Sequence, residues 1–131
     1  MAKLRHVAMV VEDIEKTAQF YEQSFEMRRV RQTDTAIGLS DGVVSLVIIH
    51  PSNVNMKDDD RRGLHHIGFQ IDDMEEISKT VEANGAVYSG VILQSGRAPT
   101  TERKYRDPNG QVFDLTSAQY AKDIWHVAVE S

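Results

Sequence analysis

The chain has 131 residues, 40% hydrophobic and 27% charged, with 20 acidic against 15 basic side chains and a net charge of −5. That is the size and make-up of one globular domain. It has no cysteine, which excludes disulfides, thiolate metal sites and cysteine nucleophiles; no apolar run reaches the ~20 residues of a membrane span, and the acidic balance argues against nucleic acid as a partner.

Residues 4–11 are β-branched and apolar and predict a strand. No apolar leader precedes it, which fits a cytoplasmic protein. Asp13 stands where a helix N-cap belongs, and Ile14, Ala18, Tyr21 and Phe25 then share one helical face over residues 14–25. Three strands are expected at about residues 28–33, 35–39 and 43–50, the last two joined by Ser40-Asp41-Gly42. Arg28, Arg29 and Arg31 read as charges guarding a sheet edge. Residues 51–63, which include Lys57-Asp58-Asp59-Asp60-Arg61-Arg62, read as a solvated linker. A second strand-helix pair follows at residues 64–71 and 74–84, with Asp73 as N-cap and Gly85 at the stop. Strands are then expected at about residues 87–93, 102–107 and 111–116, the last two joined by Pro108-Asn109-Gly110. Residues 118–131 form a tail, a short helix leading into a strand-like stretch from Ile124 to Val129.

The order βαβββ occurs twice, and the sequence repeats with it. Leu4-Arg5-His6-Val7-Ala8 aligns with Leu64-His65-His66-Ile67-Gly68 at an offset of 60, and the match continues through Asp13 and Asp73. Asp41-Gly42-Val43-Val44-Ser45-Leu46-Val47 aligns with Asn109-Gly110-Gln111-Val112-Phe113-Asp114-Leu115 at an offset of 68. The difference is assigned to a longer loop near residues 94–100. We therefore read residues 1–131 as one domain, with module 1 at about 3–50, the linker at 51–63, module 2 at about 64–117 and the tail at 118–131.

Two copies of one module commonly pack about a pseudo-twofold axis, which puts His6 and His66 at equivalent places on the two first strands. Taken singly, a strand histidine is usually a core or rim residue, and an aspartate after an Asn-Gly turn is usually on the surface. The repeat is what makes His6 and His66 candidate metal ligands, with Asp114 as the accompanying carboxylate. Neutral imidazole nitrogens and one carboxylate suit a divalent first-row metal with open coordination positions. Ala8 and Gly68, two residues beyond each histidine, leave room beside the rings. His65 is placed on the opposite face of its strand by simple alternation.

These residues resemble the vicinal oxygen chelate superfamily, which includes glyoxalase I, methylmalonyl-CoA epimerase, extradiol dioxygenases and the bleomycin- and fosfomycin-resistance proteins. The marks are Leu4-Arg5-His6-Val7-Ala8, Ala18-Gln19-Phe20-Tyr21, Gly63-Leu64-His65-His66-Ile67-Gly68-Phe69 and the run from Arg106 to Leu115. The resemblance covers about residues 4–117 and implies an α+β fold, tandem βαβββ modules forming a curved mixed sheet around a concave metal-binding cup. It puts His6 and His66 at the metal histidines, and Asp114 where the family more often carries Glu. Four-ligand members have Glu or Gln on the last strand of the first module; the repeat alignment puts Leu46 there, and a one-residue slip puts Ser45.

The remaining two-histidine, one-carboxylate set looks like the iron site of extradiol dioxygenases. The resemblance thus implies a metal-dependent, extradiol-dioxygenase-like enzyme acting on a small vicinal-oxygen substrate. Its cofactor would be a divalent metal, Fe(II) or Mn(II) before Zn(II) or Ni(II). Gln70, His50, Arg103 and Tyr105 are the candidate substrate contacts. A glyoxalase- or epimerase-like lyase or isomerase, or a non-catalytic resistance-type binding protein, are the alternatives. A homodimer is expected, without nucleic acid or membrane as partner.

Overall fold

In the computed structural model of the protein the described residues are 1–56, 59–93 and 101–127, with side chains described except at 91–93 and 101. The expected loop at residues 94–100, Lys57-Asp58 and the tail from residue 128 lie outside them. Module 1 contains β1 (Lys3–Val10), α1 (Ile14–Phe25), β2 (Arg28–Gln32), β3 (Ala36–Ser40) and β4 (Ser45–Ile49). Module 2 contains β5 (Gly63–Ile71), α2 (Met74–Ala83), β6 (Val87–Leu93), β7 (Thr101–Arg106) and β8 (Val112–Ser117). None of the described helices is long and apolar enough to cross a membrane.

Local chemistry explains the repeated helix starts. The Asp13 carboxylate accepts the Lys16 amide at 3.0 Å, and Asp73 accepts that of Glu76 at 3.1 Å, each satisfying a donor that the first helical turn leaves open. The ends differ. α1 stops at Glu26, a non-glycine residue in the left-handed region at φ 57°, whereas α2 is followed by Gly85 at φ 103°.

All eight strands form one open, curved α+β sheet in the order β2-β3-β4-β1-β5-β8-β7-β6. β1 pairs parallel with β4, β5 pairs parallel with β8, and the modules meet where β1 and β5 pair antiparallel. The pairing is symmetric about that central seam, as duplicated modules allow. Side-chain alternation then sorts the residues into two faces. Ile37, Leu39 and Ile48 are buried against Ala18 of α1, and Ile71, Tyr105 and Leu115 are buried with Ile77 and Val81 of α2. Ala8, Val10 and Ile49 pack with Met56 on the opposite face, where the cup lies.

Three expectations change. The hairpin turn in module 2 is one residue longer: Ser40 pairs with Ser45 across residues 41–44, while Arg106 pairs with Val112 across residues 107–111. His6 therefore pairs with Ser45 and His66 with Val112, so the module 1 equivalent of Asp114 is Val47 rather than Leu46 or Ser45. The connector is more than a solvated linker, because it forms a 3₁₀ turn (Val54–Met56), buries Met56 and brings Asp59 to His65. Of the stretch expected to be strand-like from Ile124, the first two residues are helical: Ala118–Tyr120 continues into a π-helical turn, Ala121–Trp125, and residues 128 and 129 lie outside the described residues. Tyr120, Ala121, Ile124 and Trp125 bury together there, a spacing that a helix can turn to one side and a strand cannot. Ser40 then donates to the His126 carbonyl at 2.7 Å, tying the tail back to module 1.

Candidate metal centre

The central seam places the two histidines. His6 on β1 and His66 on β5 are 4% and 7% exposed, and their Nε2 atoms stand 3.2 Å apart. Asp114 is fully buried on β8, opposite Gly68, with Oδ2 3.3 Å from His66 Nε2. One donor atom from each of the three residues lies within 4.8 Å of the others.

Gly68 has a specific reason to be glycine. A Cβ there would stand 2.8 Å from the Trp125 ring and 3.0 Å from the His6 Cβ. The tail uses that space: Trp125 stacks on His6 with ring centroids 4.4 Å apart and planes 6° from parallel. The tail thus closes one side of the site.

Each ring is held from behind. His6 Nδ1 is 3.2 Å from the Ser45 hydroxyl, and His66 Nδ1 is 2.7 Å from His65 Nδ1. His65 Nε2 in turn lies 2.7 Å from Asp59 Oδ2. This was not visible by alternation, because β5 bulges at this point. Ala8 pairs with His66 and Met9 with Leu64, which leaves His65 without a cross-strand partner on β1. A bulge re-aims its extra residue, and His65 is buried beside His66. Arg5, its repeat equivalent, is skipped by the corresponding irregularity in β1.

Burial decides the protonation of the rings. It pushes His6 down to about 3, assisted by the nearby His66, and it pushes His66 down to about 3, assisted by the Lys104 ammonium. Both imidazoles are neutral at physiological pH and keep a lone pair each. Asp114 accepts from Lys104 Nζ at 2.6 Å through Oδ1, while its Oδ2 is buried with no hydrogen-bond partner among the described residues. An orphaned buried carboxylate oxygen is costly in a folded protein unless something else meets it. Donors ~2.1 Å from one ion stand about 3.0 Å apart at a right angle and about 3.4 Å apart at the tetrahedral angle. The two separations at His66 Nε2, 3.2 and 3.3 Å, fall between these values, so each of these two pairs fits a shared first-row divalent ion.

The cup in front of these residues is a cavity of about 660 Å³, and its lining includes Val47, Arg31, Glu102, Lys104 and Arg106. Glu102 is buried, receives a short hydrogen bond from the Tyr120 hydroxyl, and has Oε2 3.7 Å from Lys104 Nζ. Burial and the adjacent Asp114 push its carboxyl up to about 7.

The four expected substrate contacts are placed elsewhere. Arg103 donates to Ser78 at 2.9 Å and to Glu75 at 2.6 Å, both on α2, and Tyr105 donates to Glu82 of the same helix at 2.6 Å. Lys104 pairs with Asp114 across the β7–β8 ladder, so the even residues of β7 face the cup and the odd ones face α2. Gln70 is buried on the His66 side of β5 but accepts from Arg5 at 3.3 Å, outside the cavity lining. His50, just past β4, contacts Ser52 at 2.8 Å and does not line the cavity either. Glu102 and Lys104 were the residues missed. Counting back from Asp114 through the Pro108-Asn109-Gly110 turn is the signal that points to them.

A family model described as Glyoxalase/Bleomycin resistance protein/Dioxygenase superfamily matches residues 3–115. No curated protein matches the chain. Among solved structures, it is similar to the hypothetical protein BH1468 of Bacillus halodurans, at 17% identity over 88% of this chain and 94% of that one, TM-score 0.69. It is similar to methylmalonyl-CoA epimerase from Mycobacterium tuberculosis at 17% identity over 87% and 86%, TM-score 0.66. The Mn(II)-bound glyoxalase from Novosphingobium aromaticivorans is 17% identical over 88% of this chain and 38% of that chain, TM-score 0.68. At such identities these likenesses concern the fold alone.

Proposed function

The chain belongs to the glyoxalase/bleomycin resistance protein/dioxygenase superfamily, and from that premise we propose that it is a metal-dependent enzyme of the extradiol-dioxygenase-like kind. His6, His66 and Asp114 hold the metal, Fe(II) or Mn(II), and the substrate is a small anionic molecule with two adjacent oxygens. The observation that carries this reading is the buried Asp114 Oδ2, which has no hydrogen-bond partner among the described residues and lies 3.3 Å from the His66 nitrogen, itself 3.2 Å from that of His6. Such an ion, when bound, polarises vicinal substrate oxygens and acidifies a substrate hydroxyl.

The chain's own residues do the rest. Val47 gives module 1 no fourth donor, so the cup keeps room for substrate oxygens next to the three ligands. Lys104 holds Asp114 Oδ1, leaving Oδ2 as the oxygen that faces His66. Exposed Arg31 and Arg106 add positive charge at the rim, in a chain whose net charge is −5, and so favour an anionic substrate. Trp125 and Ile124 exclude water on the tail side.

A second reading, a lyase or isomerase, is favoured by Glu102, a buried carboxyl on the cup wall that offers the base module 1 does not carry. Metal analysis and oxygen uptake separate the possibilities. We expect about one ion per purified chain, lost in His66→Ala, and O₂ consumption with catechols after anaerobic loading with Fe(II). Turnover of hemithioacetals without O₂ uptake selects the second reading. Absence of bound metal, with ligand binding intact in His66→Ala, leaves the Lys104–Asp114 ion pair as the core of a non-catalytic binding protein and overturns both.

A further inference from the structure

Asp59 and His65 lie outside the three-donor set, yet both are committed to one of its members. Asp59 Oδ2 is 2.7 Å from His65 Nε2, and His65 Nδ1 is 2.7 Å from His66 Nδ1. Both histidines are buried, and the Arg61 backbone amide fixes the carboxylate from its other side by donating to Oδ1 at 3.0 Å. Each of the two 2.7 Å contacts holds a single proton. A carboxylate only accepts, so the first proton sits on His65 Nε2. A neutral His65 then has a bare Nδ1, and the proton between the two rings belongs to His66 Nδ1. A neutral His66 protonated at Nδ1 has a bare Nε2.

We infer that Asp59, acting through His65, locks His66 as its Nδ1–H tautomer and so keeps the Nε2 lone pair turned toward His6 and Asp114. Neutral imidazole in water prefers to carry its proton on Nε2, so the lock opposes the ring's own preference. Asp59 and His65 are positioning residues in this arrangement. His6 is not locked in the same way. Among the described residues its Nδ1 meets the Ser45 hydroxyl, which donates or accepts as required, so His6 Nε2–H can donate across 3.2 Å to His66 in the metal-free chain. The purpose of the lock rests on the metal reading above; the tautomer itself belongs to the metal-free protein. The competing arrangement has a doubly protonated His65 that donates from both nitrogens. It places the His66 proton on Nε2 and removes the lone pair.

Long-range ¹H–¹⁵N correlation of the histidine rings in the chelator-treated, full-length chain near neutral pH distinguishes these cases. The lock predicts a protonated Nδ1 and bare Nε2 for His66, and the reverse for His65. Asp59→Asn removes the charged acceptor, so the His66 pattern shifts toward protonated Nε2. The same substitution weakens Zn(II) binding, used as a diamagnetic probe, by about 10- to 100-fold. Asp60→Asn, at an exposed neighbour, leaves both readouts unchanged. A proton on His66 Nε2 in the native chain overturns the inference, as does an Asp59→Asn variant with the native tautomer and native Zn(II) affinity. If Asp59→Asn does not fold, the native spectrum alone decides. Should the native chain show the predicted tautomer and bind no Zn(II), the lock stands and the metal reading falls.

Discussion

Module 1 brings one donor to the cup, His6, whereas module 2 brings two, His66 and Asp114, and the place in module 1 equivalent to Asp114 holds Val47. A related asymmetry runs through the lining. Next to the histidines module 1 contributes Val47 and Ile49, with Arg31 as its charged residue, and module 2 contributes Glu102, Lys104 and Arg106. The antiparallel pairing of β1 with β5 fixes where the two histidines meet. The chemistry lies in the positions where the two modules differ, Val47 on one side and Asp114 with its Lys104 partner on the other.

The largest test of this contrast is Asp114→Ala. It removes the only acid of the set and leaves the Lys104 ammonium partly buried without its 2.6 Å partner. We expect metal binding to fall by at least ~100-fold and stability by about 3 kcal/mol, the usual scale for breaking a buried ion pair; metal stoichiometry and urea unfolding check the two effects separately.

Acidification of the metal-free protein probes the histidine pair against the module 2 acid. His6 and His66 titrate near 3 when folded and near 6.5 when unfolded, so the unfolded chain binds two more protons between those values and stability falls as pH falls. Glu102, raised from 4.5 to about 7, works the other way: the folded chain holds its extra proton between 4.5 and 7, and stability rises as pH falls there. The expected net loss is about 1.4 kcal/mol per pH unit between 6.5 and 4.5. It becomes steeper below 4.5, where Glu102 no longer offsets the histidines and the lowered carboxyls of Glu15 and Asp59 add to the fall. A flat denaturation profile between pH 7 and 5 contradicts it.

Gly68→Ala and Ala8→Gly compare equivalent positions in the two copies. The first drives a methyl to 2.8 Å from the Trp125 ring, so about 1–3 kcal/mol is lost and tryptophan fluorescence changes. The second removes a fully buried methyl and frees the backbone, costing about 1 kcal/mol with fluorescence unaltered. Val47→Glu restores an acid to module 1 and is expected to tighten Mn(II) binding about tenfold in a direct titration, at some loss of stability in the metal-free chain. The smallest difference concerns the caps. Asp13→Ala and Asp73→Ala each lose a single amide acceptor, so denaturant midpoints should show nearly equal losses of about 1 kcal/mol.

Much of this was legible in the chain because it depends on neighbours in sequence. Both capping aspartates, both hairpin turns, the βαβββ order and the paired histidines follow from local spacing, and a repeat carries a position in one copy over to the other. What spacing by itself could not provide was the face. Alternation shows that Arg103 and Tyr105 share one side of β7 and that Glu102 and Lys104 share the other. Which side meets α2 is set by the pairing of Lys104 with Asp114, a contact between strands. His65 reached the site through a bulge whose partner strand lies some sixty residues away, and residues 118–125 form a helical cover in which Trp125 stacks on His6 across the space left at Gly68. Local sequence determined the elements and their symmetry; long-range pairing and packing decided which side chains share the cup, because a strand's period names two faces and only its neighbours say which of them is inside.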